Sequence, residues 1–182
     1  MASVRTDELF RRVDAFEYAW CLRLNRGCNV RLVKDVFSTV SRLGDGIFWY
    51  TLILLLPIVY GEAGLMPALR MTIVGFTGLA LYKYLKSRLI RERPYISLAG
   101  IVAGTKALDR YSFPSGHTLH AVSFTVLAVA SFAELAILLI PFAVLVAASR
   151  VVLGLHYPSD VLAGGTLGAA LASFSMLVMP II

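Results

Sequence analysis

The sequence is poor in charged residues, and it lacks them most in two long stretches. Only 15% of its 182 residues are charged, whereas 58% are apolar. A typical soluble domain has roughly 25% charged residues. Residues 161–182 contain no charge, and residues 46–82 contain only Glu62 and Arg70. This pattern excludes an ordinary soluble domain and indicates a membrane protein of one domain, with at most a small appendage.

Cysteine is scarce, and the basic residues are not gathered on one face. Cys21 and Cys28 lack metal-type spacing, so we interpret them as small buried hydrophobic residues. The net charge of +6 does not predict nucleic-acid binding, because the basic residues lie between apolar segments. An anionic membrane surface or a phosphate substrate explains them better. We expect neither a signal peptide nor a lipidation motif.

Five apolar segments predict an all-α, integral membrane helical bundle. They cover residues 47–60, 65–84, 118–133, 135–155 and 161–182. The last segment is long enough to cross a bilayer, whereas the first is short and must borrow flanking residues or thin the membrane locally. Small residues in the last segment, including Gly164 and Gly168, predict a face for close helix packing.

Residues 1–45 predict two amphipathic helices, broken near Gly27 and ended at Gly44. These helices either lie at the membrane interface or cover the bundle as a cap, and the pattern favours neither. We therefore divide the chain into an N-terminal interfacial or capping segment, residues 1–45, and a transmembrane catalytic domain, residues 46–182.

One long polar loop, residues 85–113, joins the second and third apolar segments. Long ordered loops of this kind usually carry function. With five spans, this loop lies on the same side of the membrane as the N-terminal segment and the turn at residues 149–160. Residues 86–94, 114–117 and 149–160 are therefore predicted to meet on one face.

Residues 114–117 read Pro-Ser-Gly-His, a turn followed directly by an apolar helix. A helix N-terminus offers free backbone amides and the positive end of the helix dipole, which bind phosphate readily. Ser115 adds a hydroxyl donor, and Gly116 allows close approach of the backbone. His117 can exchange a proton near neutral pH. His120 lies on the same helix face, and we expect it to be packed or hydrogen-bonded.

His156 and Asp160 lie at the predicted start of the last helix, where Pro158 fits the first turn. One helical turn can bring the carboxylate against the imidazole. It would keep one ring nitrogen protonated and leave the other as a nucleophile. The alternative is that Asp160 only caps the helix, a task that Ser159 could share.

Three cations, Lys86, Arg93 and Arg150, complete the predicted site. Phosphoryl transfer depends mostly on positioning and on neutralising the phosphoryl oxygens. Arginine offers a planar fork for two oxygens, and lysine offers a point charge. Arg150 interrupts an apolar segment, where an unpaired charge is costly and usually functional. For Arg88 and Arg91, the sequence supports a role as interfacial anchors about as well as a role in the site.

These residues resemble the signature of the phosphatidic acid phosphatase type 2 superfamily, which also includes vanadium haloperoxidases, glucose-6-phosphatase and bacterial lipid phosphatases. The signature is K-x6-R-P, then P-S-G-H, then S-R-x5-H-x3-D. All eleven specified positions match in order and spacing. They are Lys86, Arg93 and Pro94; Pro114, Ser115, Gly116 and His117; and Ser149, Arg150, His156 and Asp160.

The resemblance implies a role for each of these residues. His156 would form a phosphohistidine, His117 would protonate the leaving lipid oxygen and then activate water, and Asp160 would orient His156. The phosphate would be bound by Lys86, Arg93, Ser115, Gly116 and Arg150. The resemblance implies no metal and no cofactor, and the sequence offers no carboxylate cluster for a metal.

The sequence departs from this family in one respect, because many bacterial members have six spans and an outward-facing site. Here only five spans are clear, and the basic residues lie mostly on the side of the site, which favours a cytoplasmic site. The leaflet that is served, any span over residues 12–28 and the oligomeric state stay open.

The predicted function is hydrolysis of a lipid phosphate or diphosphate in the cell inner membrane by a multi-pass enzyme. Phosphatidic acid, phosphatidylglycerophosphate, undecaprenyl diphosphate and lipid A phosphates are candidate substrates. The alternatives are a vanadate-dependent haloperoxidase, and a protein that binds or transports anions without cleaving them.

Overall fold

The computed structural model describes residues 2–107 and 109–179, excluding the side chains of residues 2–9 and 11. The described chain is an all-α bundle, which confirms the predicted fold class, and its only strand-like feature is an isolated bridge between Glu92 and Tyr111. The helices are α1 (Ala2–Asn25), α2 (Arg31–Arg42), α3 (Phe48–Tyr60), α4 (Glu62–Arg88), α5 (Pro94–Ser97), α6 (Gly116–Ser131), α7 (Ala136–Val152) and α8 (Pro158–Val178).

Helix α6 lies at the centre and packs against α4, α7 and α8. The closest approach is to α8, where two glycines face the α6 backbone. A Cβ added at Gly164 would lie 2.4 Å from the Ser115 carbonyl oxygen, and one at Gly168 would lie 2.3 Å from that of Leu119. The small-residue face predicted on α8 is therefore the surface on which α6 packs.

Four stretches of the described chain are long and apolar enough to cross a membrane: Arg31–Tyr60, Glu62–Arg88, Ala133–Val152 and Pro158–Val178. Their outer faces expose large apolar side chains, such as Ile137, which is 86% exposed. Helix α6, with 16 residues, is shorter and more enclosed. Residues 180–182, the end of the last predicted span, lie outside the described residues.

The structure differs from the sequence expectation where α2 meets α3. We expected the second amphipathic helix to end at Gly44, but α2 continues into α3 through a kinked turn, Leu43–Ile47. Gly46 has a φ of 139° there, a conformation that glycine adopts without steric cost. The short first span is thus extended at its N-terminal side, and the kink places Asp45 at the end of the bundle.

Helix α1 covers this same end of the bundle. Its Cys21 is buried in a small cluster with Ile101 and Tyr157. The Asn25 side chain donates to the carbonyls of Val102 (2.9 Å) and Val152 (3.0 Å). The opposite face of α1 is apolar and open, with Phe16 79% exposed. The helix therefore packs on the bundle and also has exposed aromatic side chains, and its location at the membrane interface stays a prediction.

Candidate active site

The three predicted segments converge on one cavity at the end of the bundle covered by α1. The cavity has a volume of about 470 Å³. One end of the cavity is polar, and its walls toward α3 and α4 are largely apolar. The polar end is lined by Lys86, Arg93, Asp109, Gly116, His117, Arg150 and His156. The apolar walls include Trp49, Ile53, Leu54, Met71, Phe76 and Leu79.

His156 lies in the turn between α7 and α8 and is 1% exposed. The turn is tight, because the backbone N–H groups of Leu155 and His156 both donate to the Arg150 carbonyl at 3.0 Å. Gly154 precedes them with a φ of 69°. A Cβ added at Gly154 would lie 2.7 Å from the Val102 carbonyl oxygen, so glycine is needed there both for its conformation and for space.

The contacts of His156 define its tautomer. Arg93 Nη1 lies 3.2 Å from Nε2, and because arginine can only donate, Nε2 must accept. The ring proton therefore lies on Nδ1, which is 3.5 Å from Asp160 Oδ2, an electrostatic contact and not a hydrogen bond, since Nδ1 has no hydrogen-bond partner among the described residues. Burial, together with the positive charges of Arg93, Arg150 and Lys86, lowers the pKa of His156 well below its usual value. The ring is thus neutral at physiological pH, with its lone pair toward the cations.

Asp160 makes both contacts that the sequence left as alternatives. Its Oδ2 accepts a hydrogen bond from the Tyr157 backbone N–H at 2.9 Å, which caps α8, and the same oxygen faces His156. Its Oδ1 accepts from Arg91 Nη1 at 2.6 Å. The Asp160 backbone carbonyl also accepts from the Ser115 N–H at 3.1 Å, which joins the α6 and α8 segments of the site.

His117 begins α6 and lines the cavity, as predicted from its place after the turn. Its Nε2 is hydrogen-bonded to Asp45 Oδ1 from the α2–α3 kink. The neighbouring Gly44 brings this kink close, since a Cβ there would lie 3.6 Å from His117 Cδ2. His120 lies one turn on, with Nδ1 2.9 Å from the Gly116 carbonyl and Nε2 3.1 Å from that of Gly75. It is hydrogen-bonded, as expected.

The carboxylate of Asp109 bridges two of the three predicted cations. Lys86 Nζ donates to both of its oxygens, at 2.9 and 2.8 Å, and Arg93 Nη2 donates to Oδ1 at 2.8 Å. Burial opposes ionisation of Asp109, but the hydrogen bonds and charges of Lys86 and Arg93 outweigh it and lower the pKa of this carboxyl below its usual value. The carboxylate thus occupies part of the place in which a phosphate would meet these cations.

Arg150 is buried at the end of α7, where Nη1 donates to the Ser41 hydroxyl of α2. Its Nε is buried and has no hydrogen-bond partner among the described residues. A buried guanidinium N–H without an acceptor is costly, and an anion in the cavity would supply the acceptor.

Ser115 does not line the cavity, unlike the other predicted phosphate ligands. It is the N-cap of α6, where its hydroxyl accepts from the Thr118 N–H at 3.4 Å and contacts Thr118 Oγ1 at 3.0 Å. Gly116 does line the cavity, and a Cβ there would lie 3.2 Å from the Tyr82 ring. The hydroxyl of Ser115 therefore fixes the first turn of α6.

Sequence reasoning missed Asp45 and Asp109 and left Arg91 undecided. Asp45 lies between two glycines and next to an apolar segment. An isolated carboxylate at the edge of a membrane span is usually functional, and this signal could have identified Asp45. Asp109 lies in the one long polar loop, but its partners are more than 15 residues away and no local spacing shows them. The interfacial-anchor interpretation is wrong for Arg91, which is 2% exposed and bound to carboxylates.

No group of three or more histidine, cysteine, aspartate or glutamate side chains that could hold a metal ion occurs among the described residues. Metal-independent chemistry stays a prediction that rests on the side chains of the site.

A family model of the PAP2 superfamily matches residues 64–181. The chain belongs to this superfamily. The matched region contains all eleven signature positions, whereas α1, α2 and α3 lie before it. Asp45, Asp14 and Glu17 therefore lie outside the part of the chain that the PAP2 model describes. No curated protein matches the sequence.

Two solved structures share the PAP2 fold of this chain. LpxE from Aquifex aeolicus has a TM-score of 0.73 at 24% identity, over 86% of this chain and 92% of LpxE. A transmembrane PAP2 type phosphatidylglycerolphosphate phosphatase from Bacillus subtilis has a TM-score of 0.66 at 24% identity, over 98% of this chain and 96% of that chain. These similarities establish the transmembrane bundle architecture of the chain.

Proposed function

We propose that this protein is an integral membrane lipid phosphatase that removes a terminal phosphate from a lipid phosphate or diphosphate. One observation carries the proposal: a neutral histidine, a second histidine and three cations converge on a cavity with apolar walls. The polar end suits a phosphate, and the walls formed by α3 and α4 suit the hydrocarbon part of a lipid. The two solved PAP2 relatives support a phosphatase rather than a passive anion-binding protein.

In the first step, Nε2 of His156 attacks the phosphorus atom. The bond between phosphorus and the lipid oxygen breaks, and His117 donates a proton to that oxygen as it leaves. In the second step, His117 takes a proton from water, the water oxygen attacks the phosphohistidine, and inorganic phosphate departs with the nitrogen–phosphorus bond broken. The negative charge of Asp160, 3.5 Å from Nδ1 of His156, favours the proton on that nitrogen, so that Nε2 keeps its lone pair in the resting state.

The phosphate is bound by Lys86, Arg93, Arg150 and the N-terminus of α6 at Gly116. Arg93 donates to His156 Nε2, and Arg150 Nε has no partner among the described residues, so both guanidinium groups are placed to turn their N–H groups to phosphoryl oxygens. The carboxylate of Asp109 must leave Lys86 and Arg93 before a phosphate can take its place. Ser115 joins the phosphate ligands after a rotation of its hydroxyl away from Thr118.

The proposal further places the enzyme in the cell inner membrane with several spans and without a metal or cofactor. Its substrate is a lipid with a terminal phosphate, of the class of phosphatidic acid, phosphatidylglycerophosphate or undecaprenyl diphosphate. The chemistry of the polar end is the same for all of these, because each presents its phosphate at the headgroup level of the bilayer.

The test is phosphate release from a panel of purified lipid phosphates in detergent with EDTA present. We expect release from at least one lipid, inhibition by vanadate as a mimic of five-coordinate phosphorus, and no release by His156→Ala. A strict magnesium requirement, or undiminished release by His156→Ala, contradicts the proposal. Halide oxidation in the presence of vanadate, without phosphate release, would identify a haloperoxidase instead.

A further inference from the structure

Arg91 is a buried arginine that the proposed chemistry does not use. It lies in the loop after α4, two residues before Arg93, and is 2% exposed. It does not line the cavity. Its guanidinium is surrounded by three carboxylates, those of Asp14, Glu17 and Asp160.

All five guanidinium N–H groups of Arg91 are used. Nε donates to Asp14 Oδ1 at 2.9 Å, and Nη2 donates to the same oxygen at 2.6 Å and to Glu17 Oε2 at 2.8 Å. Nη1 donates to Asp160 Oδ1 at 2.6 Å and to the Ser159 hydroxyl at 2.7 Å. A planar fork with five occupied donors has one orientation, and only arginine provides this geometry.

The faces of the guanidinium are also covered. The Tyr157 ring lies with its centroid 3.8 Å from Arg91 Cζ, and the Phe10 ring lies at 5.1 Å. Tyr157 directly follows His156 in the chain, so the stacking also fixes the backbone beside the proposed nucleophile. The groups that contact the edge and the faces of the guanidinium therefore all belong to α1 or to residues 157–160, directly after His156.

Helix α1 contributes the other half of this arrangement. Glu17 Oε1 accepts from the Ser159 backbone N–H at 2.6 Å, and its Oε2 accepts from the Ser159 hydroxyl at 2.7 Å. Glu17 thus binds the first turn of α8 and Arg91 at once. Together with Asp14, it brings two carboxylates of α1 to the helix that carries Asp160.

Asp160 is fully buried and has a different task for each oxygen. Oδ1 faces Arg91, and Oδ2 faces His156 Nδ1 and the Tyr157 N–H. Without the guanidinium, a buried carboxylate would lose its counter-charge and become protonated or rotate. In either case it would no longer hold the Nδ1–H tautomer of His156.

We propose that Arg91, clamped by Asp14 and Glu17 of α1, is a positioning residue that fixes the Asp160 carboxylate and, through it, the tautomer of His156. This inference rests on the proposed function for its effect on turnover, although the tautomer can be measured without any substrate. It gives α1 a role in the reaction: the docking of this helix stabilises the ion pair behind the nucleophile.

The first experiment is ¹⁵N NMR of the histidine rings in detergent-solubilised protein. The chain has only three histidines, so His156 is assigned by its absence in His156→Ala. We expect the Nδ1–H tautomer in the wild type and a mixture of tautomers in Arg91→Gln, with no change in the control Arg88→Gln. Arg88 is exposed and lies over the Tyr84 ring. An unchanged His156 tautomer in Arg91→Gln overturns the inference, whether or not the protein hydrolyses lipids.

The second experiment measures phosphate release by the same variants from a lipid phosphate that the panel shows to be hydrolysed. We expect Arg91→Gln to lower kcat by roughly 10- to 100-fold, in the range found for residues that orient a catalytic ligand, while KM and the vanadate inhibition constant stay within about 3-fold because the cations that bind phosphate are untouched. In an Asp160→Asn background, Arg91→Gln should change kcat by less than about 2-fold, since both changes break the same Arg91–Asp160–His156 arrangement.

Other outcomes separate this inference from the proposed function. No phosphate release by the wild type contradicts the proposed function alone, and the tautomer measurement then decides the inference. Additive losses in the double variant, a weakened vanadate site, or full wild-type kcat in Arg91→Lys each overturn the inference. If Arg91→Gln does not remain monodisperse, Glu17→Gln takes its place in both experiments, and an unchanged tautomer and kcat in that variant overturn it equally.

Discussion

The site contains two pairs of a histidine and a carboxylate, and they are built in opposite ways. His156 and Asp160 are four residues apart in sequence and both are buried, with Arg91 behind the carboxylate. His117 and Asp45 are 72 residues apart and meet at the rim of the cavity, where the Asp45 side chain is 38% exposed. The first pair lies in the buried turn before α8, whereas the second joins α6 to the kinked turn between α2 and α3.

This difference fits two chemical tasks. A nucleophile needs one tautomer and one orientation, which a buried and fully bonded carboxylate supplies. A proton donor that later activates water needs access to the leaving oxygen and to solvent, which a ring at the cavity rim has. We therefore expect the variants below to damage the first pair more than the second.

The largest effect is expected for the nucleophile itself. His156→Ala should lower phosphate release by roughly 10⁴-fold or more, because it removes the group on which the proposed covalent intermediate forms. Release is measured in detergent with EDTA, and Arg88→Gln is the matched surface control. A His156→Ala enzyme within tenfold of the wild type would contradict the assignment.

Asp160→Asn should be next, with a loss in kcat of roughly 10² to 10⁴, since an amide in this position favours the wrong tautomer of the partner imidazole. KM should change little, because Asp160 does not line the cavity. A loss confined to KM would show that Asp160 acts on substrate binding instead.

Asp45→Asn should cost less, about 10-fold in kcat, because it removes the partner of the proton donor while leaving His117 in place. The comparison predicts a smaller loss than for Asp160→Asn under the same conditions. An equal or larger loss would mean that the rim pair is held as tightly as the buried one.

Asp109→Asn should lower KM rather than kcat. The carboxylate competes with phosphate for Lys86 and Arg93, and its side chain is 40% exposed. A partly exposed ion pair is worth up to about 1 kcal/mol, which corresponds to a KM lower by up to about 5-fold. A raised KM would show that Asp109 positions the two cations instead of competing for them.

The smallest effect is a shift in pH dependence. Burial and nearby cations lower the pKa of His156, so its ring is neutral above that pKa and loses its nucleophilic lone pair only at lower pH. The acidic limb of kcat/KM due to His156 should lie below pH 6.5, the usual histidine value. Lys86→Met removes one positive charge, which raises the pKa of His156 and moves this limb to higher pH. Both enzymes are assayed with one substrate, so its own ionisation cancels, and a shift to lower pH contradicts the electrostatic account.

The parts of this molecule that sequence reasoning found are those with local spacing. The Asp160–His156 pair is one helical turn, the Ser115 cap precedes an apolar run, and the glycines of α8 repeat at four residues. The parts it missed depend on contacts between distant segments. Asp45 reaches His117 only because Gly46 kinks the chain, and Arg91 meets α1 across 77 and 74 residues. No periodicity in the sequence records such pairings.

The prediction of helix boundaries from the sequence is limited in the same way, because it also depends on contacts between distant segments. The apolar segments located α3, α4, α6, α7 and α8, and the first was too short to span a bilayer without flanking residues, but this did not show that α2 would continue into α3. Glycine is a common helix end, yet its freedom at positive φ also allows a kinked turn between two helices. Packing against α7, including Val146 close to Gly44, selects the second outcome in this chain.

The most direct test of the central claim is to trap the covalent intermediate. The protein is mixed with ³²P-labelled phosphatidic acid, or with another labelled lipid phosphate that the panel shows to be hydrolysed. The reaction is quenched at alkaline pH, where a phosphohistidine survives, and the peptides are then analysed by mass spectrometry. The account predicts label on His156 in the wild type and none in His156→Ala. Sustained phosphate release without labelled His156, or label on a different residue, would contradict it.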